Sequence, residues 1–202
     1  MDSDMWDERY STKEYVWAIE PNQFVKEHLG SLTPGTAIDL GAGEGRNAVW
    51  LASLGWQVTA VDFSAVALEK GEKLAADHEV SVNFEQGDAR TYQASEPVDL
   101  VVLSYLQLPT ADQTVILDHA KTWVRPGGIL FVIAHDESNI ENGYGGPPSI
   151  EVCYTVDRTV SALEGLDIVT ADVAERTVET PDGPQIALDT LVVATHPSDT
   201  TR

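Results

Sequence analysis

Short apolar runs alternate with amphipathic segments along the chain, and this alternation predicts strands separated by helices. Residues 37–40, 57–62 and 98–104 are rich in apolar or β-branched side chains, which is typical of buried strands. Residues 65–77 combine Ala, Leu, Glu and Lys in a pattern that favours a helix, with Ser64 placed to cap it. This alternation predicts a parallel sheet with right-handed crossovers.

The end of the chain breaks the alternation. Two predicted strands, residues 167–176 and 186–194, are joined around residues 181–184 (Pro-Asp-Gly-Pro) with no room for a helix. They predict an antiparallel hairpin. The remaining predicted elements are helices from Pro21 towards Leu32, over residues 46–54 and over residues 110–124, and strands over residues 82–86 and 129–134.

Charge narrows the range of partners. The 202 residues include 33 Asp and Glu against 12 Lys and Arg, a formal net charge of −21. Such a surface repels phosphate backbones and anionic lipids, so we expect neither a nucleic-acid nor a membrane partner. Cys153 is the only cysteine, and neither a secretory signal nor an apolar run of membrane-spanning length is recognised. We expect a cytoplasmic monomer or homodimer.

Three glycines, Gly41, Gly43 and Gly45, follow the first predicted strand at alternate positions. Residues without a Cβ permit a tight turn and let a ligand approach the bare backbone. The dinucleotide fingerprint Gly-x-Gly-x-x-Gly would need its third glycine at position 46, which is Arg46. We interpret the loop, with Asp39 before it, as a nucleoside-binding turn. The alternative is a loop that only reverses the chain.

Further motifs follow this loop in order. Asp62 closes the second strand, residues 87–89 (Gly-Asp-Ala) follow the third, and the hairpin closes the chain. The combination resembles the class I S-adenosylmethionine (SAM)-dependent methyltransferases over roughly residues 34–195. Residues 6–10 (Trp-Asp-Glu-Arg-Tyr) and 43–47 (Gly-Glu-Gly-Arg-Asn) resemble the small tellurite-resistance-type branch.

The resemblance implies an α/β fold, a Rossmann-like three-layer sandwich with a mostly parallel seven-stranded sheet in the order 3-2-1-4-5-7-6. It implies one methyltransferase domain over residues 1–202, with a helical N-terminal cap (residues 1–33) over the active site and a SAM-binding core (residues 34–196). SAM is the implied cofactor, and no metal is expected.

The resemblance also implies roles for individual residues. Asp39 would face the amino group of the methionine part of SAM, and Asp62 would accept both ribose hydroxyls. Asp88 would accept the adenine amine. Arg46 would either bridge to the SAM carboxylate or pair with a surface acid. The full set of expected cofactor contacts is Asp39, Gly41, Ala42, Gly43, Gly45, Arg46, Asn47, Asp62, Phe63, Ser64, Gly87, Asp88, Ala89, Leu103 and Ser104.

The methyl acceptor would lie against the aromatic N-terminus and the loop that begins at His135. Tyr10 and His135 are the predicted catalytic residues, and Trp17 and Tyr144 are further candidates. His135 could act as a base or a substrate ligand, or could cap a polar loop. Residues 104–109 (Ser-Tyr-Leu-Gln-Leu-Pro) do not form the Asn-Pro-Pro-Tyr motif of base-flipping adenine methyltransferases.

These observations favour a small-molecule methyl acceptor. The resemblance to the tellurite-type branch suggests a soft anion, an oxyanion or a thiol, although an acidic protein is an unusual host for an anion. Two alternative functions are a nicotinamide-dependent oxidoreductase and a non-catalytic SAM-binding regulatory module.

Overall fold

The computed structural model describes residues 3–16 and 19–198, so Trp17 lies outside the described residues. The chain divides into two compact units, Met1–Ser104 and Tyr105–Arg202. None of the described helices is long and apolar enough to cross a bilayer. The expected single domain with a separate N-terminal cap stays a prediction.

The first unit consists of parallel strands and the helices between them. Its elements are α1 (Ser3–Ser11), α2 (Gln23–Leu29), β1 (Thr36–Leu40), α3 (Arg46–Ser53), β2 (Gln57–Asp62), α4 (Ala65–Asp77), β3 (Asn83–Gln86) and β4 (Val98–Ser104). β1 pairs in parallel with β2 and β4, and β2 pairs in parallel with β3. The carboxyl ends of these strands therefore share one edge, where open α/β sheets bind ligands.

Helix α2 begins later than its sequence predicts. Pro21 does not open it, because the Asn22 side chain accepts hydrogen bonds from the amides of Phe24 and Val25 and caps the first turn. The helix then ends at Leu29, where Gly30 caps it, rather than near Leu32.

The second unit carries the hairpin. Its elements are α5 (Thr110–Trp123), β5 (Val124–His135), α6 (Asn139–Asn142), a 3-10 helix (Ile150–Val152), α7 (Val156–Ala162), β6 (Asp167–Val178) and β7 (Gln185–Thr195). β7 is antiparallel to both β5 and β6, which confirms the predicted hairpin. The sequence reading had no element where α7 lies; Thr155 caps this helix through the amide of Arg158.

The strand order of the sheet is β3-β2-β1-β4-β5-β7-β6, which confirms the predicted Rossmann-like topology. In β4, Leu100, Val101 and Val102 are all fully buried. Consecutive buried residues point to opposite faces of a sheet, so both faces of β4 are covered.

Candidate active site

The glycine loop after β1 has the backbone conformation that its sequence predicts. Gly41, Gly43 and Gly45 all have φ in the left-handed region, at 72°, 55° and 76°. The amides of Gly41 and Ala42 both donate to the Val61 carbonyl, at 2.8 and 3.0 Å. Side chains are disfavoured at such φ values, so the alternate glycines are required to turn the chain here.

Phe84 of β3 holds the end of this loop against helix α4. A Cβ added to Gly71, in the middle of α4, would lie 2.5 Å from the Phe84 ring, and one added to Gly45 would lie 3.0 Å from it. Both glycines thus leave the space that the ring fills. This packing accounts for a glycine inside a helix, where it is otherwise unfavourable.

Asp62, at the end of β2, accepts hydrogen bonds from the glycine loop and from the start of α4. Its Oδ2 accepts the Gly43 amide at 2.8 Å and its Oδ1 accepts the Ser64 amide at 2.9 Å. Burial raises the pKa of Asp62, and these amides oppose the rise. Each carboxylate oxygen can accept more than one hydrogen bond, so Asp62 retains capacity for the two ribose hydroxyls of a nucleoside.

Asp39, at the end of β1, is a buried carboxylate without a hydrogen-bond partner for either oxygen among the described residues; it is 1% exposed. Burial raises the pKa of Asp39 to about 7. The positive charge of Arg46 is the largest effect that lowers this pKa. The Ala48 amide lowers it less, and it does not form a hydrogen bond with the carboxylate. A buried, unpaired acid costs folding energy, so it marks a place where a cationic ligand group would be stabilised.

The N-terminal segment lies on the glycine loop. Tyr10 is buried, and a Cβ added to Gly43 would lie 2.8 Å from the Tyr10 hydroxyl. The Lys70 ammonium donates to the Tyr10 carbonyl at 2.5 Å and to the Glu44 carboxylate at 3.0 Å. Glu44 also accepts the Val16 amide. The segment is therefore anchored by charged hydrogen bonds to the loop itself.

Helix α1 has a second anchor at the start of α4. The Ser64 hydroxyl donates to the Asp7 carboxylate and accepts the Ala67 amide at 3.1 Å, so Ser64 caps α4 as predicted. Part of the hydrogen-bonding capacity of Ser64 is thereby taken up within the protein.

The other expected cofactor contacts differ in their availability. Asn47 is buried and its Oδ1 accepts the Asn22 amide at 2.9 Å. The Asp88 carboxylate is paired with Arg90, which lowers the Asp88 pKa. Leu103 is 1% exposed, whereas the Ser104 hydroxyl is buried without a hydrogen-bond partner in the part of the chain described.

Three more expected contacts lie at the ends of the second and third strands: Phe63 is half-buried, Ala89 is buried, and the Gly87 amide donates to the Asp62 carbonyl at 2.9 Å. The first unit therefore brings the glycine loop, Asp39 and Asp62 together, as the motifs predicted. The role of each residue in cofactor binding stays a prediction.

The second unit contains a polar cluster that the sequence reading missed, centred on Asp189, which is fully buried. The Asp189 carboxylate accepts the Tyr105 hydroxyl at 2.6 Å and the Arg176 Nε at 2.8 Å, and its Oδ1 lies 3.1 Å from His135 Nδ1. Arg176 Nε also donates to the Tyr105 hydroxyl at 3.0 Å. We call these four residues the Asp189 cluster.

Strand register assembles the Asp189 cluster. His135 of β5 lies directly opposite Asp189 of β7, so their side chains share one face. Arg176 of β6 pairs with Ala187, two residues before Asp189, a diagonal that a long side chain can bridge. The only local signal in the sequence was an acid inside the apolar run 186–194.

Tyr105 reaches the cluster through an unusual backbone. Its φ is +54°, rare for a residue with a bulky side chain. Its amide donates to the Ile133 carbonyl at 2.7 Å, and its ring centroid lies 4.8 Å from that of His135. Strained backbone of this kind is found at functional sites, where surrounding contacts hold it in place.

The cluster keeps its carboxylate ionised. Burial alone would raise the pKa of Asp189, but the neighbouring His135, Arg176 and Tyr105 side chains outweigh it and hold that pKa below its ordinary value. Burial and the neighbouring Asp189 charge raise the pKa of Tyr105, so this hydroxyl stays protonated at neutral pH.

The loop after His135 is fixed by polar contacts, although it has little regular structure. Asp136 accepts the hydroxyl of Thr190 at 2.6 Å, and Asn139 accepts the Leu188 amide at 2.7 Å. Tyr144 is 46% exposed, so it is a surface residue of this loop. In residues 3–16 and 19–198, no group of three or more His, Cys, Asp or Glu side chains is arranged to hold a metal ion.

Comparison with known sequences finds similarity over the part of the chain that contains the glycine loop. A family model described as "Methyltransferase domain" matches residues 37–128, from β1 to the start of β5. The chain is 34% identical to a ribosomal RNA small subunit methyltransferase C of Alcanivorax borkumensis over 52% of its length and 33% of that protein. It is 31% identical to a ubiquinone biosynthesis O-methyltransferase of Paraburkholderia phymatum over 50% of its length and 44% of that protein. The chain thus spans less than half the length of these relatives.

Solved structures with the same fold cover nearly the whole chain. The N-methyltransferase NodS from Bradyrhizobium japonicum, in complex with S-adenosyl-L-homocysteine (SAH), matches with a TM-score of 0.75 at 16% identity, covering 98% of this chain and all of that one. TehB from Haemophilus influenzae matches with a TM-score of 0.73 at 15% identity, covering 96% of this chain and 66% of that one. Residues 37–128 therefore match a methyltransferase domain, and the chain shares the fold of these solved structures, as its motifs predicted.

Proposed function

We propose that this protein is a SAM-dependent methyltransferase that methylates a small molecule. The observation that carries the proposal is the pair of buried carboxylates, Asp39 and Asp62, at the ends of adjacent strands on either side of a left-handed glycine loop. Asp39 has no hydrogen-bond partner in the described part of the chain, and Asp62 is fixed by the amides of Gly43 and Ser64. This matches a ligand that carries an ammonium group and a ribose.

The residues present fit SAM. Asp39 would bind the methionine ammonium, which would favour its charged form and remove the cost of burying it unpaired. Asp62 would accept the ribose hydroxyls, and the glycine backbone permits close approach of the methionine part. Bound SAM supplies an activated methyl group on a sulfonium. The protein's own contribution to transfer is alignment and the exclusion of water.

A small acceptor agrees with the charge of the chain. The two curated relatives differ in this respect, since one is named for ribosomal RNA and the other for ubiquinone biosynthesis. A formal charge of −21 opposes binding to a phosphate backbone, which favours the small molecule. Tyr10 and His135 are the side chains that we propose on the acceptor side of the reaction.

Calorimetry tests the cofactor. We expect micromolar binding of SAM and SAH and no heat with NADH. Asp77→Ala, on the exposed end of α4, serves as a control and should bind like the wild type. Binding of NADH without binding of SAH would overturn the proposal in favour of an oxidoreductase. A radiolabelled methyl-transfer screen then separates an enzyme from a non-catalytic SAM-binding module, because turnover of any small acceptor excludes the module.

A further inference from the structure

We propose that Asp189 positions His135 as a proton acceptor, and that the methyl acceptor is therefore a molecule whose nucleophilic oxygen or sulfur still carries a proton, such as a phenol or a thiol. This inference rests on the proposed methyltransferase function and specifies its acceptor. It assigns a positioning role to Asp189 and distinguishes such acceptors from oxyanions, which present a deprotonated atom without help.

The two ring nitrogens of His135 have different surroundings. Nδ1 is buried and lies 3.1 Å from Asp189 Oδ1. This distance suits a hydrogen bond, but the two groups are not aligned for one. A Cβ on Gly146 would lie 3.2 Å from Nδ1 and from Cγ, so this glycine lets the loop close on that edge of the ring. Nε2 forms no hydrogen bond to any described residue and is not among the buried unpaired atoms. The open nitrogen is thus Nε2.

This asymmetry selects one tautomer. A carboxylate beside Nδ1 favours a proton on that nitrogen, which leaves the lone pair of neutral imidazole on Nε2. Proton uptake at Nε2 then produces an imidazolium whose charge faces the Asp189 carboxylate. Asp189 itself cannot turn away, because Arg176 and Tyr105 hold its other oxygen at 2.8 and 2.6 Å.

The charges facing His135 set the limits of this role. Asp189 favours the imidazolium and the guanidinium of Arg176 opposes it, while Tyr105 is neutral. Asp136, next in the chain, is bound to Ser138 and Thr190. With neutral His135 the Asp189 cluster carries no net charge, and uptake of one proton makes it +1. A permanent cation would repel a proton, whereas a neutral cluster can accept one transiently.

The proposed step is balanced within the reactants. The acceptor X–H transfers its proton to Nε2 of His135, and a lone pair on X forms the bond to the methyl carbon. The carbon–sulfur bond breaks, and its electron pair goes to the sulfur as the positive charge of the sulfonium is lost. His135 then releases the proton to water, so no oxidant or reductant is required.

A purely structural cluster is the competing explanation. The Arg176–Asp189 pair ties β6 to β7, and His135 could simply fill the remaining space beside it. The two explanations differ in their expectations for acceptor preference and for the effect of His135→Gln on kcat. They do not differ in their expectations for stability, so loss of stability in a variant would not separate them.

The first experiment locates the proton without any ligand. Long-range proton–nitrogen NMR of the wild type should show His135 as the Nδ1–H tautomer with an unprotonated Nε2. Asp189→Asn should shift this equilibrium towards Nε2–H, while the control Asp172→Asn, an exposed acid on the neighbouring β6, should leave it unchanged. A wild-type His135 that is mainly Nε2–H overturns the proposal. If Asp189→Asn does not fold, the tautomer of the wild type alone decides this experiment.

The second experiment measures transfer to catechol, thiophenol and selenite. We expect turnover with catechol or thiophenol. The value of kcat should fall by about 100-fold or more in His135→Gln and by about 10-fold in Asp189→Asn. The control His78→Gln, at the exposed end of α4, should be unaffected. Turnover confined to selenite, or unchanged kcat in His135→Gln, overturns the inference. The affinity of both variants for SAH should stay within about threefold of the wild-type affinity. If the wild type itself did not bind SAH, the proposed function would be contradicted instead.

Discussion

The two units place a buried carboxylate in opposite electrostatic situations. Asp39 in the first unit has no hydrogen-bond partner among the described residues, and burial raises its pKa to about 7. Asp189 in the second unit has donors from Tyr105 and Arg176, with His135 beside it, and its pKa is held below the ordinary value. We propose that a ligand supplies the positive group for the first carboxylate, whereas Arg176 already supplies it for the second.

This difference underlies the two roles that we propose, ligand binding for Asp39 and positioning of His135 for Asp189. An unpartnered acid raises the energy of the ligand-free protein, and ligand binding releases that energy. An acid that already has donors within the protein gains less from a ligand but can hold a neighbouring side chain in one orientation. We therefore expect substitutions in the first unit to change cofactor affinity, and substitutions in the Asp189 cluster to change the rate of transfer.

The largest effect is expected from Asp62→Ala. Loss of a charged acceptor for two hydroxyls costs about 1.5–3 kcal/mol for each hydrogen bond, so SAM and SAH should bind at least about 100-fold more weakly by calorimetry. The amides of Gly43 and Ser64 lose their acceptor as well. The free energy of unfolding should therefore fall by about 1–3 kcal/mol in urea titrations.

Asp77→Ala is the matched control for this change, because it removes an exposed acid from the end of α4. It should leave both affinity and stability within experimental error. Cofactor affinity in Asp62→Ala within about threefold of the wild type would show that the β2 carboxylate does not contact the ribose, and that it serves only to shape the loop.

The contrast between the two units also explains which features the sequence could predict. Strand β2 and helix α4, with its Ser64 cap, match the predicted bounds, because apolar runs and caps are signals between near neighbours. The glycine loop was recognised for the same reason. The Asp189 cluster was missed because its members come from β5, β6, β7 and the residue that follows β4. Only the register that sets His135 opposite Asp189 reveals it.

Partnerships within the first unit were also hidden from the sequence. Asn47 stands in the loop motif, but its side chain accepts the Asn22 amide. Asp88 was expected to accept the adenine amine, and the structure adds an ion pair with Arg90 that the motif did not predict. A motif specifies which residue type stands at a position, whereas competition for its hydrogen bonds depends on neighbours that the fold supplies.

Asp39→Asn should separate stability from binding. In the folded protein the pKa of Asp39 is raised to about 7, so its stabilising contribution is complete below its ordinary pKa of 3.8 and is lost as pH rises towards 7. Asn resembles the protonated acid and avoids this loss. The variant's gain in unfolding free energy should be about 1–2 kcal/mol larger at pH 8 than at pH 5.5, measured in urea.

Affinity should move in the opposite direction. Without the carboxylate, the methionine ammonium of SAM loses a charged partner, and binding at pH 8 should weaken by about 10- to 100-fold. A variant that is more stable and binds less tightly would establish Asp39 as a ligand-binding acid. A variant that is less stable at pH 8 than the wild type would show that Asp39 has a partner within the protein.

The smallest effect is expected from Tyr105→Phe, which removes one donor to Asp189 and keeps the ring beside His135. Unfolding free energy should fall by about 1–2 kcal/mol, because a hydrogen bond to a buried carboxylate is lost while Arg176 Nε remains. Affinity for SAH should be unchanged, and kcat should fall only a few-fold, since Asp189 keeps one anchor. Tyr92→Phe removes a hydroxyl that is bonded to Glu85 in the first unit and serves as the control. If Tyr105→Phe weakened SAH binding by about tenfold or more, the assignment of cofactor affinity to the first unit alone would be wrong, because the Asp189 cluster would then contribute to cofactor binding as well as to transfer.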